Sequence, residues 1–128
     1  MGDAPTAFRP WLLLVEDEAP LADATQAILT GVFQVEVAGT VAEALRLLGT
    51  KQYAVIISDH MLPGKEQGLN FLMKALELQP SAKRILMTGY LNPELLGRSV
   101  SVAQLSARLV KPVPMATLRQ ELHRVTGG

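Results

Sequence analysis

The chain has 128 residues, with 12 basic and 12 acidic side chains, a formal net charge of zero and no cysteine. Hydrophobic residues make up 48% and charged residues 19%, which fits one compact core and excludes a disordered tail. The charge balance excludes a general nucleic-acid or membrane-surface binder, and the missing cysteines exclude disulfides, thiolate metal sites and cysteine nucleophiles.

Residues 1–10 are small and polar with two prolines, and read as a loose lead-in to a single domain over residues 11–126. Trp11-Leu12-Leu13-Leu14-Val15 is a continuous apolar run halted by Glu16-Asp17-Glu18. Continuous apolar character is what a parallel strand covered on both faces requires. Leu21, Ala24 and Ile28 then follow helical spacing up to about Leu29, with Gly31 as a stop. Residues 33–37 make a second strand. Thr40, with Glu43 three residues on, caps a helix that presents Val41, Ala44, Leu45 and Leu48.

A third strand over residues 53–58 ends at Asp59, and the turn-rich loop HMLPGKEQG leads to a helix carrying Leu69, Leu72 and Leu76. Residues 84–87 form a fourth strand ending at Thr88-Gly89-Tyr90. Asn92-Pro93-Glu94 opens a helix weakened by Gly97, Ser99 and Ser101. A short strand near 108–110 ends at Lys111-Pro112, and the last helix carries Met115, Leu118, Leu122 and Val125. Five strand–helix units in strict alternation predict an α/β doubly wound five-stranded parallel sheet. Met61, Met73, Met87 and Met115 read as core filling. Alternation turns His60 away from Asp59, and His123 falls on the surface of the last helix.

In such sheets ligands gather beyond the carboxyl ends of the strands. Glu16 and Asp17 follow strand one, Asp59 strand three, Thr88 strand four and Lys111 strand five, whereas strand two ends in Ala38-Gly39. That exemption is what a strand order 2-1-3-4-5 predicts. Three carboxylates at one rim repel each other unless a cation sits among them, and an all-oxygen donor set favours Mg²⁺. Lys111 and the Thr88 hydroxyl suit phosphoryl oxygens, and an aspartate here can serve as the nucleophile.

Val15-Glu16-Asp17-Glu18, Asp59, Pro63-Gly64, Thr88-Gly89 and Lys111-Pro112, in this order, resemble the receiver domain of bacterial two-component response regulators. The resemblance spans nearly the whole chain and implies a flavodoxin-like (βα)5 fold. It implies that Asp59 accepts a phosphoryl group from a phosphohistidine on a sensor histidine kinase or histidine phosphotransfer protein. Asp17, Glu16 through water, Asp59 and the Met61 backbone carbonyl would hold Mg²⁺. Lys111 would contact the phosphoryl oxygens, and Thr88 would move onto the phosphorylated group. The Lys111-Pro112 bond is expected to be cis. The family commonly has an aromatic residue three positions before the lysine; here Arg108 stands there, so Thr88, Arg108 and Tyr90 form the expected switch. The loop from Asp59 to Gly68 is one residue longer than the common form. Met61 and Tyr90 flank the site and are expected to slow loss of the phosphoryl group by obstructing water.

The implied output is a change of affinity for a downstream protein, with no direct nucleic-acid contact. A homodimer through the fourth helix, fifth strand and last helix is among the options. No apolar run approaches the ~18 residues of a membrane span, and no signal pattern opens the chain, so a cytoplasmic protein is expected. It reads either as a stand-alone regulator or as a receiver excised from a longer regulator or hybrid kinase. Two other classes stay open: a phosphate-independent receiver-like scaffold and a Mg²⁺-dependent phosphohydrolase. Acids rather than glycines after the first strand argue against a dinucleotide site.

Overall fold

A computed structural model of the chain describes residues 9–62, 67–89 and 103–127. Its elements are β1 (Trp11–Val15), α1 (Ala19–Leu29), β2 (Gln34–Ala38), α2 (Val41–Leu48), β3 (Val55–Asp59), α3 (Gly68–Leu78), β4 (Lys83–Thr88), β5 (Ala107–Val110) and α4 (Met115–Thr126). The strands pair in parallel in the order β2-β1-β3-β4-β5, the order that the strand-end residues predict. Pro63, Gly64, Tyr90 and the helix expected from Asn92 lie outside the described residues. No described helix is long and apolar enough to cross a membrane.

Alternation along the strands divides the core in two. Leu13, Val15, Ile56 and Leu86 pack on one face against Leu47, Leu48, Leu69 and Leu72 of α2 and α3. Leu12, Leu14, Val55, Ile57 and Ile85 pack on the other against Ala22, Leu29, Leu118 and Leu122 of α1 and α4. The central strands are therefore apolar on both faces over most of their length, and the charged residues beyond them mark where the cover ends.

Two expectations change. The buried face of α1 is Ala22, Thr25 and Leu29, one residue on from Leu21, Ala24 and Ile28, which instead line a surface groove. Both triads obey the same spacing, so period alone cannot choose between them. Of the four methionines expected in the core only Met87 is buried; Met61, Met73 and Met115 are exposed. Each of these three stands outside the stripe of its segment that meets the sheet, and in α3 Phe71 and Ala75 fill that stripe. The Thr40 cap forms as expected, its hydroxyl accepting from the Glu43 N–H at 3.1 Å.

Charge enters the scaffold at two places. Arg84 on β4 is buried, and its guanidinium donates to the carbonyls of Ala82, Ala103 and Gln104. This ties the approach to β5 onto β4, and burial lowers the Arg84 pKa. On β2, Glu36 accepts from the buried Tyr53 hydroxyl at 2.6 Å and pairs with Lys51. The Lys51 ammonium also lies 4.6 Å from the centre of the Trp11 ring. Burial pushes Glu36 up, but the hydrogen bonds from Lys51 and Tyr53 outweigh it and hold the carboxyl below its usual range.

A depressed carboxyl pKa contributes stability above the unfolded value of about 4.3 and loses it as pH falls through the folded value. Thermal melts of the native chain and Glu36→Gln should therefore differ by a constant margin at neutral pH. That margin should shrink below about pH 4.5, and a pH-independent margin would remove the ion pair as its cause.

Candidate functional site

The carboxyl ends of β1, β3, β4 and β5 meet at one rim. Beyond Val15 the chain keeps to the sheet for one more residue, because the Glu16 N–H donates to the Ala38 carbonyl at 2.9 Å. Glu16 is thereby held 2% exposed, whereas Asp17 and Glu18 turn outward into solvent. Asp59, the last residue of β3, is 5% exposed. Lys111 follows β5, its N–H donating to the Thr88 carbonyl at 2.9 Å, and the Lys111-Pro112 bond is cis.

The Lys111 ammonium joins the buried acids. It donates to Asp59 Oδ2 at 2.9 Å and to Glu16 Oε1 at 3.0 Å. Burial alone would lower the Lys111 pKa; the bonds to Asp59 and Glu16 more than offset it and raise it. Glu16 moves the other way for a carboxyl under a salt bridge. Its burial raises the pKa more than Lys111 and the Glu18 N–H lower it, and the nearby Asp59 adds to the rise. One cation therefore serves two acids, and burial keeps the Glu16 pKa above its ordinary value in spite of it.

Glu16, Asp17 and Glu18 each offer a carboxylate oxygen within 4.8 Å of the others. This is a hard, all-oxygen donor set of the kind Mg²⁺ or Ca²⁺ takes, with water completing the shell. Glu18 joins the acids that the strand-end argument singled out; its place directly after Asp17 was the available signal. The Met61 N–H lies 3.4 Å from Asp59 Oδ1, so Met61 also borders the rim. Thr88 is 1% exposed at the end of β4. Arg108 is exposed on β5, in register with Leu86, and Tyr90 lies outside the described residues.

Asp59 is aimed by the loop that follows it. The Gln67 and Gly68 N–H groups both donate to the His60 carbonyl, at 3.0 and 2.8 Å. Gly68 thereby lies so close that a Cβ would meet the Asp59 carbonyl oxygen at 2.1 Å and the His60 Cα at 2.5 Å. Sequence reasoning passed over this glycine; its place where a turn-rich loop enters a helix was the only hint. Beside the rim a groove of about 530 Å³ runs between α1 and the start of α4, lined by Glu18, Leu21, Lys111 and Met115 among others.

Residues 12–123 match the family described as the response regulator receiver domain. The hydrogenase transcriptional regulatory protein HoxA of Cupriavidus necator is 32% identical over 101 residues, 79% of this chain. The chain spans 21% of the length of that relative. A CheY-like receiver domain protein from Methanospirillum hungatei superimposes with a TM-score of 0.85 at 29% identity, covering 93% of this chain and 94% of its own. The signal receiver domain of an HD domain-containing protein from Pseudomonas fluorescens gives 0.86 at 25% identity, covering 99% and 93%.

Replacing Lys111 by methionine leaves two buried acids without their cation. A stability loss of about 2–3 kcal/mol is expected at pH 7, measured by urea unfolding, and it should shrink on acidification as Glu16 protonates. Gly68→Ala forces backbone apart rather than a flexible side chain. It should cost about 1–3 kcal/mol and weaken any ligand that depends on Asp59, and an unchanged urea midpoint would show that the close approach relaxes freely.

Proposed function

Since the chain belongs to the response regulator receiver domain family, we propose that it works as a phosphorylation-controlled switch with Asp59 as the phosphoacceptor. The observation that carries this reading is the Lys111 ammonium shared between Asp59 and Glu16 at the rim where four strands end. Unit, partners and compartment are assigned with it: a working domain over residues 11–126, a sensor histidine kinase or histidine phosphotransfer protein as donor, a downstream protein as receiver of the signal, and the cytoplasm.

An Asp59 carboxylate oxygen forms the new O–P bond as the P–N bond of the donor phosphoimidazole breaks, and that electron pair returns to the donor nitrogen. Lys111, already bonded to Asp59, follows the charge onto the phosphoryl oxygens. The Thr88 hydroxyl donates to the same group from the end of β4. Asp17 and Glu16, with Asp59 and the Met61 carbonyl, would hold Mg²⁺, which supplies neutralisation of the phosphoryl charge when bound. The apolar groove with the exposed Leu21 and Met115 borders Lys111 and offers the donor protein a seat. Movement of Thr88 and Lys111 would reach partners through β5, the segment before it and α4, with Arg108 and Tyr90 reporting the state. The domain is a signalling switch whose only chemistry is its own phosphorylation and dephosphorylation.

One observation favours a second reading, a phosphate-independent scaffold: exposed Arg108 where an aromatic switch residue is common. Intact mass after incubation with acetyl phosphate and Mg²⁺ separates the two. One phosphoryl increment that needs the metal and vanishes in Asp59→Asn is expected, whereas no increment together with no Mg²⁺ binding would support the scaffold. Met61→Asn combined with Tyr90→Glu should speed loss of the phosphoryl group by admitting water; an unchanged rate removes the two side chains as a shield.

A further inference from the structure

β5 is the edge strand whose end leads into Lys111, and side-chain packing does little to hold it. Of its four residues only Leu109 is buried. Strand register is firmly specified where a row of side chains is buried and weakly where it is not. A slip of one residue would carry Lys111 about 3.3 Å along the sheet and turn its side chain to the other face. Neither the 2.9 Å bond to Asp59 nor the 3.0 Å bond to Glu16 would survive that.

Arg84 supplies the grip that packing does not. It lies 5% exposed on β4, in register with buried Ile56 of β3 and two residues before buried Leu86. An apolar side chain would be the ordinary choice there, because a guanidinium is costly to bury and persists only where its donors are met. Among the described residues its partners are all carbonyls. Nε donates to Ala103 at 3.0 Å, Nη2 to Gln104 at 3.1 Å, and Nη1 to Ala82 just before β4. The Arg84 carbonyl in turn accepts from the Ser106 N–H at 2.8 Å, directly before the pairing of Ile85 with Ala107. One residue thus holds the approach to β5 by its side chain and its main chain together. Gln104 has a φ of 48°, a left-handed conformation that residues with a Cβ seldom keep without support. Its carbonyl is one of those that Arg84 takes.

We propose that Arg84 is a positioning residue for Lys111: by pinning residues 103–106 to β4 it sets the register of β5 and so delivers the ammonium to Asp59 and Glu16. What the ammonium then does for a phosphoryl group rests on the phosphoacceptor reading above; where it arrives does not. Arg84 fixes the entry of β5, and the bond from the Lys111 N–H to the Thr88 carbonyl fixes its exit. The fork matters, because a planar guanidinium reaches several carbonyls at once whereas an ammonium is a compact point charge.

Urea unfolding of a double-mutant cycle tests this in the chain itself. The midpoint shift caused by Lys111→Met should fall to about half or less in an Arg84→Met background, because the ammonium is no longer held against the acids. Equal shifts in the two backgrounds would overturn the proposal. Affinity for beryllium fluoride with Mg²⁺, a stand-in for the phosphoryl group, gives the second readout. Arg84→Met should bind it about ten-fold more weakly, whereas Leu47→Ala, which weakens the core under α2, should bind it as the native chain does. Unchanged affinity in Arg84→Met, or an equal loss in Leu47→Ala, would also overturn the proposal. If Arg84→Met does not fold, Arg84→Lys carries the same comparisons with smaller effects. A native chain that binds no beryllium fluoride overturns the phosphoacceptor reading and leaves Arg84 to be decided by the urea cycle.

Discussion

An ammonium group bonded to two buried carboxylates fixes the geometry of this molecule's working end. Lys111 reaches Glu16 across a sequence separation of 95 residues and Asp59 across 52. The first and last strands of the chain are therefore tied to the central one by charge as well as by the sheet. Removing the cation from such an arrangement is costly, because neither acid returns to water when it is lost. The two acids are thus already out of water in the folded rim, with one cation between them.

Everything beneath the rim serves to bring those three strand ends level. Leucine, isoleucine and valine dominate both faces of β1, β3 and β4, and the two core layers admit few polar residues before the strands stop. Ser58 and Arg84 are buried polar residues inside these strands, and the Arg84 guanidinium is satisfied by the carbonyls of Ala82, Ala103 and Gln104, the last two just before β5. Since β5 carries Lys111 at its end, the same guanidinium helps to set where the ammonium arrives. Glu36, Lys51, Tyr53 and Trp11 close the opposite edge of the sheet with a second charge cluster, well away from the rim.

Much of this was legible in the amino-acid sequence, for a specific physical reason. A parallel strand covered on both faces is apolar throughout, so its end is marked sharply by the first charged residue; Glu16 and Asp59 stand at such marks, whereas β5, an edge strand, carries Arg108 before Lys111. The exemption of β2 disclosed the strand order by the same logic. Helix phase was harder to read, because in α1 two triads one residue apart share the same spacing and only packing against the sheet selects Ala22, Thr25 and Leu29. The exposed Met61, Met73 and Met115 illustrate the same limit, as hydrophobicity reports what a side chain tolerates and not which way it points. The contact of Gly68 with Asp59 has no one-dimensional signature, since it depends on where a loop returns.

That return has a consequence for how far the loop tolerates a change of length. The Gln67 and Gly68 N–H groups converge on a single carbonyl, that of His60, and cinch the loop shut at its base. Chain added or removed beyond such a knot changes the loop's outline without being transmitted to the residues below it, and each extra residue carries only a small closure cost. The stretch between Asp59 and Gly68 can therefore change length at little cost while the Asp59 backbone keeps its place. For the protein engineer, the same knot marks a natural port for grafting a short reporter peptide beside the rim.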